Sequence, residues 1–432
     1  MKYLAPEYVY TPQGVQSRML LSISHDGRII SVTGLDSSSP IPSGTIKALP
    51  GTLLLSGFVN THSHVFQRAL RGQTHHALSA HDSFWTWRHA MYVAANQLNP
   101  DNLYEVSLRT YREMLEVGYT SVGEFHYVHH QPDGRPYANP NIMAEAIISA
   151  GRDAGIRVVL LLAAYAQGGI NQSLEEGQRR FCDASVDAYL ARVDELRAAG
   201  IPVGLAPHSV RAVPESWMRP IADYRRVHAL PLHVHADEQQ AEVEQCRQVY
   251  GCTPIELLQR YGVLGPQTSI IHATHANEVE IALLQQEGCT VCVCPTTEAD
   301  LGDGIAPYTE LVAAEIPLAI GSDSNTRLDP FEELRWAEYA ARMRYQRRRI
   351  LVGEKHASPG PFLFDMGTRW GGSALGLETG VIAAGMLADF VGIDLNHSML
   401  RDWNMSNLLD MLFFGASSEV VKQVWVAGEE VH

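Results

Sequence analysis

Two hydrophobic periods alternate along the chain. Short apolar runs of strand length recur at "TLLLSGFVN", "YTSVGEF", "RVVLLLAAY", "PVGLAPHS", "LPLHVHA", "TSIIHAT", "CTVCVCP" and "PLAIGSD". Longer stretches with helical spacing lie between them, among them Leu103–Val117, Ile142–Ala154, Val186–Ala199, Glu238–Tyr250 and Glu278–Glu287. Strand–helix units repeated in series predict an α/β fold, a (β/α)8 barrel. The flanks read differently. "RMLLSISHDGRIISVTG" holds two strand-like runs around an Asp-Gly turn, and "ADFVGIDLN" and "VKQVWVAGEEVH" are again strand-like, with Gly428 suited to a turn. Residues 1–50 and 376–432 are therefore expected to pair into one small β-sandwich domain beside a barrel of residues 51–375. No repeat or low-complexity tract interrupts this order.

The chain of 432 residues is long for one average domain but ordinary for a barrel, and 46% hydrophobic and 19% charged residues make a normal globular balance. A net charge of −15 argues against a nucleic-acid binder. It does not exclude an anionic substrate, because a few local arginines override a distant surface field. The start "MKYLAPEYVYTPQG" has no apolar core of a secretory signal, and no run approaches the ~18 apolar residues of a membrane span. A cytoplasmic protein without membrane contact is expected. Six cysteines make no disulfide framework in a chain this long. Cys289, Cys292 and Cys294 in "GCTVCVCP" resemble a metal cluster, but a buried strand with Cys292 and Cys294 on one face explains them more simply.

Histidines at strand ends change the picture. His62 and His64 in "NTHSHV" are one residue apart, so both side chains point the same way at the C-terminal end of the first barrel strand. Barrel active sites form at that end. The fifth strand offers His233 and His235, then Glu238; the sixth offers His272; the eighth offers Asp323. A single strand histidine is most simply a hydrogen-bonded core residue. Recurrence on three strands, with an aspartate on a fourth, points to a metal held by His62, His64, His235 and Asp323. Three imidazoles and one carboxylate suit Zn²⁺. His233 is the more structural member of its pair. The lysines are Lys2, Lys47, Lys355 and Lys422, none within the barrel strands, so no carboxylated lysine can bridge two ions and one zinc per chain is expected. Such an ion lowers the pKa of bound water to ~7. Glu238 reads as a proton shuttle, although an acid in the first turn of a helix is also favoured by the helix dipole. His272 reads as a stabiliser of developing charge, and Asp323 as acceptor of the proton of the attacking water.

These residues resemble the amidohydrolase superfamily, whose barrel carries HxH on strand one, His on strands five and six and Asp on strand eight. "NTHSHVFQRALRG", "DSFWTWRHAMY", "PHSVRAVP", "HVHADEQ", "IHATH" and "GSDSN" resemble more closely its formimidoylglutamate deiminase group. The resemblance implies hydrolysis of the formimino group of N-formimino-L-glutamate to N-formyl-L-glutamate and ammonia, on one zinc, in histidine breakdown. It also implies Gln67, Arg88, Tyr127, His208 and Arg211 as substrate contacts. A small dicarboxylate fits two arginines, which bind carboxylates bidentately. The segment from Gly72 to Pro100 is long enough to fold over the barrel mouth as a lid sealed by Trp85 and Trp87. His75, His76, His81, His129 and His130 read as solvated loop residues, and His275 as a helix-start residue. One departure from the group's pattern is Asp237, which adds a negative charge near the metal unless it points away. A homodimer is expected by the habit of such enzymes. Two other functions compete: an aminohydrolase of a purine, pyrimidine or triazine ring, with the same metal chemistry but more aromatic stacking, and a metal-free barrel used for binding or assembly.

Overall fold

A computed structural model of the chain describes residues 1–35, 46–75, 84–353 and 356–432. Eight parallel strands form one sheet in chain order: Phe58–Ser63, Tyr119–His126, Arg157–Ala164, Val203–Pro207, Leu232–Ala236, Thr268–His272, Thr290–Val293 and Leu318–Ile320. All of their residues except Arg157 are buried, as parallel strands covered by helices must be. The expected barrel is thus present, and each apolar run carries a strand. Side chains satisfy the first free N–H groups of some of the surrounding helices: Asn277 caps Glu278–Glu287, and Asp329 caps Pro330–Tyr345 with proline at the first turn.

The barrel closes at the predicted metal ligands. Asp323 bridges in parallel to Ser63; the His64 N–H donates to the Asp323 carbonyl at 2.9 Å, and the Asp323 N–H donates to the His62 carbonyl at 3.0 Å. Below this seam Asn60 ties the same strands, accepting from the Ser322 N–H at 2.9 Å and donating to Ser322 Oγ at 2.6 Å. Gly321 is required for the approach, because a Cβ there would lie 2.7 Å from the His62 Cβ.

A second, mixed sheet joins both termini. Ile46–Ser56 pairs in parallel with Lys2–Thr11 and antiparallel with Phe390–Asp394. One sequence run, "TLLLSGFVN", therefore serves two sheets: Thr52–Ser56 ends the terminal strand, and Phe58 begins the barrel. The junction expected between residues 50 and 51 falls inside this terminal strand. Alternation divides its side chains. Leu54 packs with Val9, Phe390 and Trp425 of the terminal domain, and Leu53 and Leu55 join the barrel core. No helix among the described residues is long and apolar enough to cross a membrane.

Candidate metal centre

The four predicted ligands meet. One ligating atom each of His62, His64, His235 and Asp323 lies within 4.8 Å of all the others, and all four residues are buried. The Nε2 atoms of His62 and His64 are each 3.3 Å from Asp323 Oδ1, and His62 Nε2 is 3.1 Å from His235 Nε2. Zinc bonds of about 2.0–2.1 Å in a tetrahedron place ligand atoms about 3.3 Å apart.

Hydrogen bonds behind two of the three histidines settle their tautomers. His64 Nδ1 and His235 Nδ1 each lie 2.8 Å from a backbone carbonyl, of Phe125 and His208 respectively. A carbonyl only accepts, so both Nδ1 atoms carry the proton and both Nε2 atoms present lone pairs inward. Burial lowers the pKa of all three rings, that of His62 to about 3, so protonation does not relieve the crowding. Two inward lone pairs and the Asp323 carboxylate, with His62 Nε2 3.1 Å from His235 Nε2 and 3.3 Å from Asp323 Oδ1, make a cluster of donor atoms that a cation would bridge. The donor set fits a divalent metal. Burial raises the Asp323 pKa, but the hydrogen bond and charge of His62 outweigh it and hold the carboxyl well below its usual range. Asp323 and the neighbouring His272 both adopt positive φ, 47° and 75°, an uncommon backbone for residues with side chains.

A second group surrounds the first. His272 Nε2 lies 3.8 Å from both Glu238 Oε1 and Asp323 Oδ2, while its Nδ1 is 3.3 Å from Glu298 Oε1. Burial lowers the His272 pKa, but the Glu298 hydrogen bond and the charges of Glu238 and Asp323 outweigh it and push it up to about 10. Glu298 also accepts from the Cys294 N–H at 2.8 Å. Cys294, though close enough to His272 and Glu298 to suggest a second ligand set, packs with Ile271, Cys292 and Ala319, as the strand reading of that cysteine run expects. Arg211 Nη2 donates to Glu238 Oε2 at 2.7 Å, and its Nε is 3.1 Å from the fully buried Glu242. Glu242 and Glu298 were not marked by the sequence reading. Only the spacing of Glu242, one helical turn beyond Glu238, hinted at it.

A cleft opens over these groups, and Gln67, Arg88, Tyr127, His208 and Arg211 all line it. Gln67 Nε2 donates to the Tyr127 hydroxyl at 2.9 Å, which leaves the buried Gln67 Oε1 without a protein partner. Phe84–Ala95 is a helix whose Trp87 and Arg88 face the cavity. Trp85 does not: it is 41% exposed and stacks its ring 4.5 Å from the Arg88 guanidinium. An alternating helix face cannot turn both tryptophans inward.

Other sequence expectations need correction. His129 and His130 are buried rather than solvated. Arg192 lies 3.0 Å from His129 Nδ1 and also pairs with Asp183, which is 3.4 Å from His130. His275 precedes its helix and bonds the Asp303 carbonyl at 3.0 Å. Asp237 joins neither the ligand set nor the cavity lining, and burial, then the neighbouring Glu280, push its carboxyl pKa well above the usual range. His233 sits in the barrel interior against the Ala374 carbonyl, and His75 is an exposed loop residue, both as expected. His76 and His81 lie outside the described residues.

Residues 53–431 match the Amidohydrolase family. The chain is 37% identical to a formimidoylglutamate deiminase of Pseudomonas aeruginosa, covering 100% of this chain and 94% of that one. It is 28% identical to a 5'-deoxyadenosine deaminase of Methanothermobacter thermautotrophicus over 88% of this chain and 81% of that one. The crystal structure of an amidohydrolase from Brucella melitensis superposes with a TM-score of 0.90 at 33% identity, covering 100% of this chain and 94% of that one. With a family match over residues 53–431 and 37% identity along the full length to a formimidoylglutamate deiminase, this chain belongs to the amidohydrolase family.

Proposed function

We propose that this chain hydrolyses N-formimino-L-glutamate to N-formyl-L-glutamate and ammonia with one zinc ion. The observation that carries the reading is that two guanidinium groups, Arg88 and Arg211, line the same cavity as the His/Asp ligand set. A dicarboxylate needs two such anchors, whereas a heterocyclic base needs none. The full-length identity with a formimidoylglutamate deiminase supports the same substrate.

His62, His64, His235 and Asp323 would hold the zinc. When bound there, it acts as a Lewis acid that makes hydroxide accessible near neutral pH. The chain's own residues do the rest. Arg211 and Arg88 anchor the carboxylates, and Gln67 Oε1 accepts an N–H of the formimino group. Asp323 takes the proton of the attacking water as the formimino carbon becomes tetrahedral. His272, held by Glu298, donates toward the developing charge. Glu238 carries a proton to the nitrogen that leaves as ammonia.

The test is ammonia release by purified protein from a panel of formiminoglutamate, formiminoaspartate, adenosine and an aminotriazine. Formiminoglutamate should lead the panel in kcat/KM by at least about ten-fold. A ring substrate ahead of it would overturn the assignment in favour of the ring aminohydrolase reading.

A further inference from the structure

The same cavity holds buried polar groups that the proposed chemistry leaves unused. Tyr92 and Tyr165 line it, both almost fully buried, and between them lies Gln178, fully buried. The amide of Gln178 is oriented without ambiguity. Its Oε1 accepts from the Glu175 N–H at 2.9 Å, so Nε2 must point the other way. There it lies 2.8 Å from the Tyr165 hydroxyl and 3.0 Å from the Tyr92 hydroxyl, with the Gly168 carbonyl farther off at 3.3 Å. A Cβ on Gly168 would stand 2.8 Å from Gln178 Oε1, so only glycine leaves room for this arrangement.

Donation from Nε2 fixes the direction of the phenols. Both hydroxyl oxygens accept from Gln178, so their two O–H protons must go elsewhere. One can serve the other tyrosine. At least one remains, and among the described residues no protein acceptor stands opposite it. A buried donor demands a partner. Arg88, one helical turn before Tyr92, puts its guanidinium 5.6 Å from the Tyr92 ring and 3.8 Å from Glu175, the residue whose N–H pins Gln178. A cation and a forced O–H donor thus meet on one wall.

We propose that Tyr92 and Tyr165 form, with Arg88, the subsite for the second carboxylate of the substrate, and that Gln178 is the positioning residue that turns their hydroxyls toward it. The inference rests on the dicarboxylate reading above and names the groups that make a substrate with two carboxylates preferred over one.

Two changes test it. Tyr92→Phe with Tyr165→Phe removes the donors. Gln178→Glu keeps the oxygen that accepts from Glu175 but replaces the Nε2 donor by an acceptor, so the phenols donate inward and are withdrawn from the ligand. Each variant should lose about ten-fold in kcat/KM for formiminoglutamate, the worth of one hydrogen bond to a charged group. Two shortened substrates, one without the α-carboxylate and one without the distal carboxylate, locate the effect. For whichever lacks the carboxylate held here, the loss should be at least about five-fold smaller. Equal losses on all three substrates, or none on any, would overturn the proposal. Glutarate binding by calorimetry gives a readout without turnover: wild type should bind it, and both variants should bind it several-fold more weakly. If formiminoglutamate is not turned over by wild type, the assigned reaction fails, and the glutarate comparison alone still decides the subsite.

Discussion

Replacing Glu238 by Gln separates proton transfer from binding. Glu238 contributes no ligating atom to the His/Asp set, so the metal site should stay intact. The substitution is isosteric and removes one charge. Its catalytic share as an acid–base group is about 10²–10⁴ in kcat, or ~3–5 kcal/mol at 1.36 kcal/mol per factor of ten. The structure adds a second expectation. Arg211 is held between Glu238 and Glu242, so a substrate carboxylate must compete with Glu238 for the guanidinium. With Glu238 neutral, Arg211 faces a single protein anion, and KM should stay level or fall. The assay is ammonia release under saturating and limiting formiminoglutamate, with zinc content measured on the same preparation. Turnover within about three-fold of wild type would remove Glu238 from the proton path. A loss carried entirely by KM would show that its role is binding.

Further expectations follow from other buried groups. Arg211→Met strands the buried carboxylates of Glu238 and Glu242, so unfolding stability should drop by about 3–5 kcal/mol, and formiminoglutamate turnover should suffer far more than zinc content; denaturant melts and metal analysis check both. Glu333 is fully buried, and burial raises its pKa to about 8, against the accepted hydrogen bonds of Thr296. The native state therefore keeps a proton that the unfolded state sheds above about 4.5, and stability should fall as pH rises from there to about 8. Glu333→Gln should flatten this slope by up to about 1.4 kcal/mol per pH unit in urea melts, and an unchanged slope would contradict it. Asn60→Ala opens the seam between the first and eighth barrel strands by removing both contacts to Ser322, costing ~1–3 kcal/mol and weakening zinc retention on dialysis.

Much of this architecture can be read along the chain because its signals are local. Strand-length apolar runs each contain one barrel strand, and the parity of His62 with His64 and of His233 with His235 follows from the two-residue repeat of a strand. What escapes a local reading depends on partners distant in sequence. His129 and His130 look like loop polarity until Arg192 and Asp183, more than fifty residues on, cover them. Asp237 looks like a charge at the metal until burial and Glu280, more than forty residues on, raise its pKa away from the ligand set. Trp85 and Trp87 look equivalent until a helix turns one outward. The run around Gly57 looks like one strand because nothing in its apolarity marks where the chain leaves one sheet for another. Gln178 has no signal at all in sequence, since its role lies in two hydroxyls it happens to reach.

The most direct test of the account is to strip the protein with a chelator and restore Zn²⁺ stepwise while following ammonia release from formiminoglutamate. Activity should vanish on stripping and return in proportion to added zinc, reaching its plateau at one equivalent per chain, with His235→Ala failing to recover. Full activity in the stripped protein, or a plateau reached only at two equivalents, would contradict a single ion held by His62, His64, His235 and Asp323.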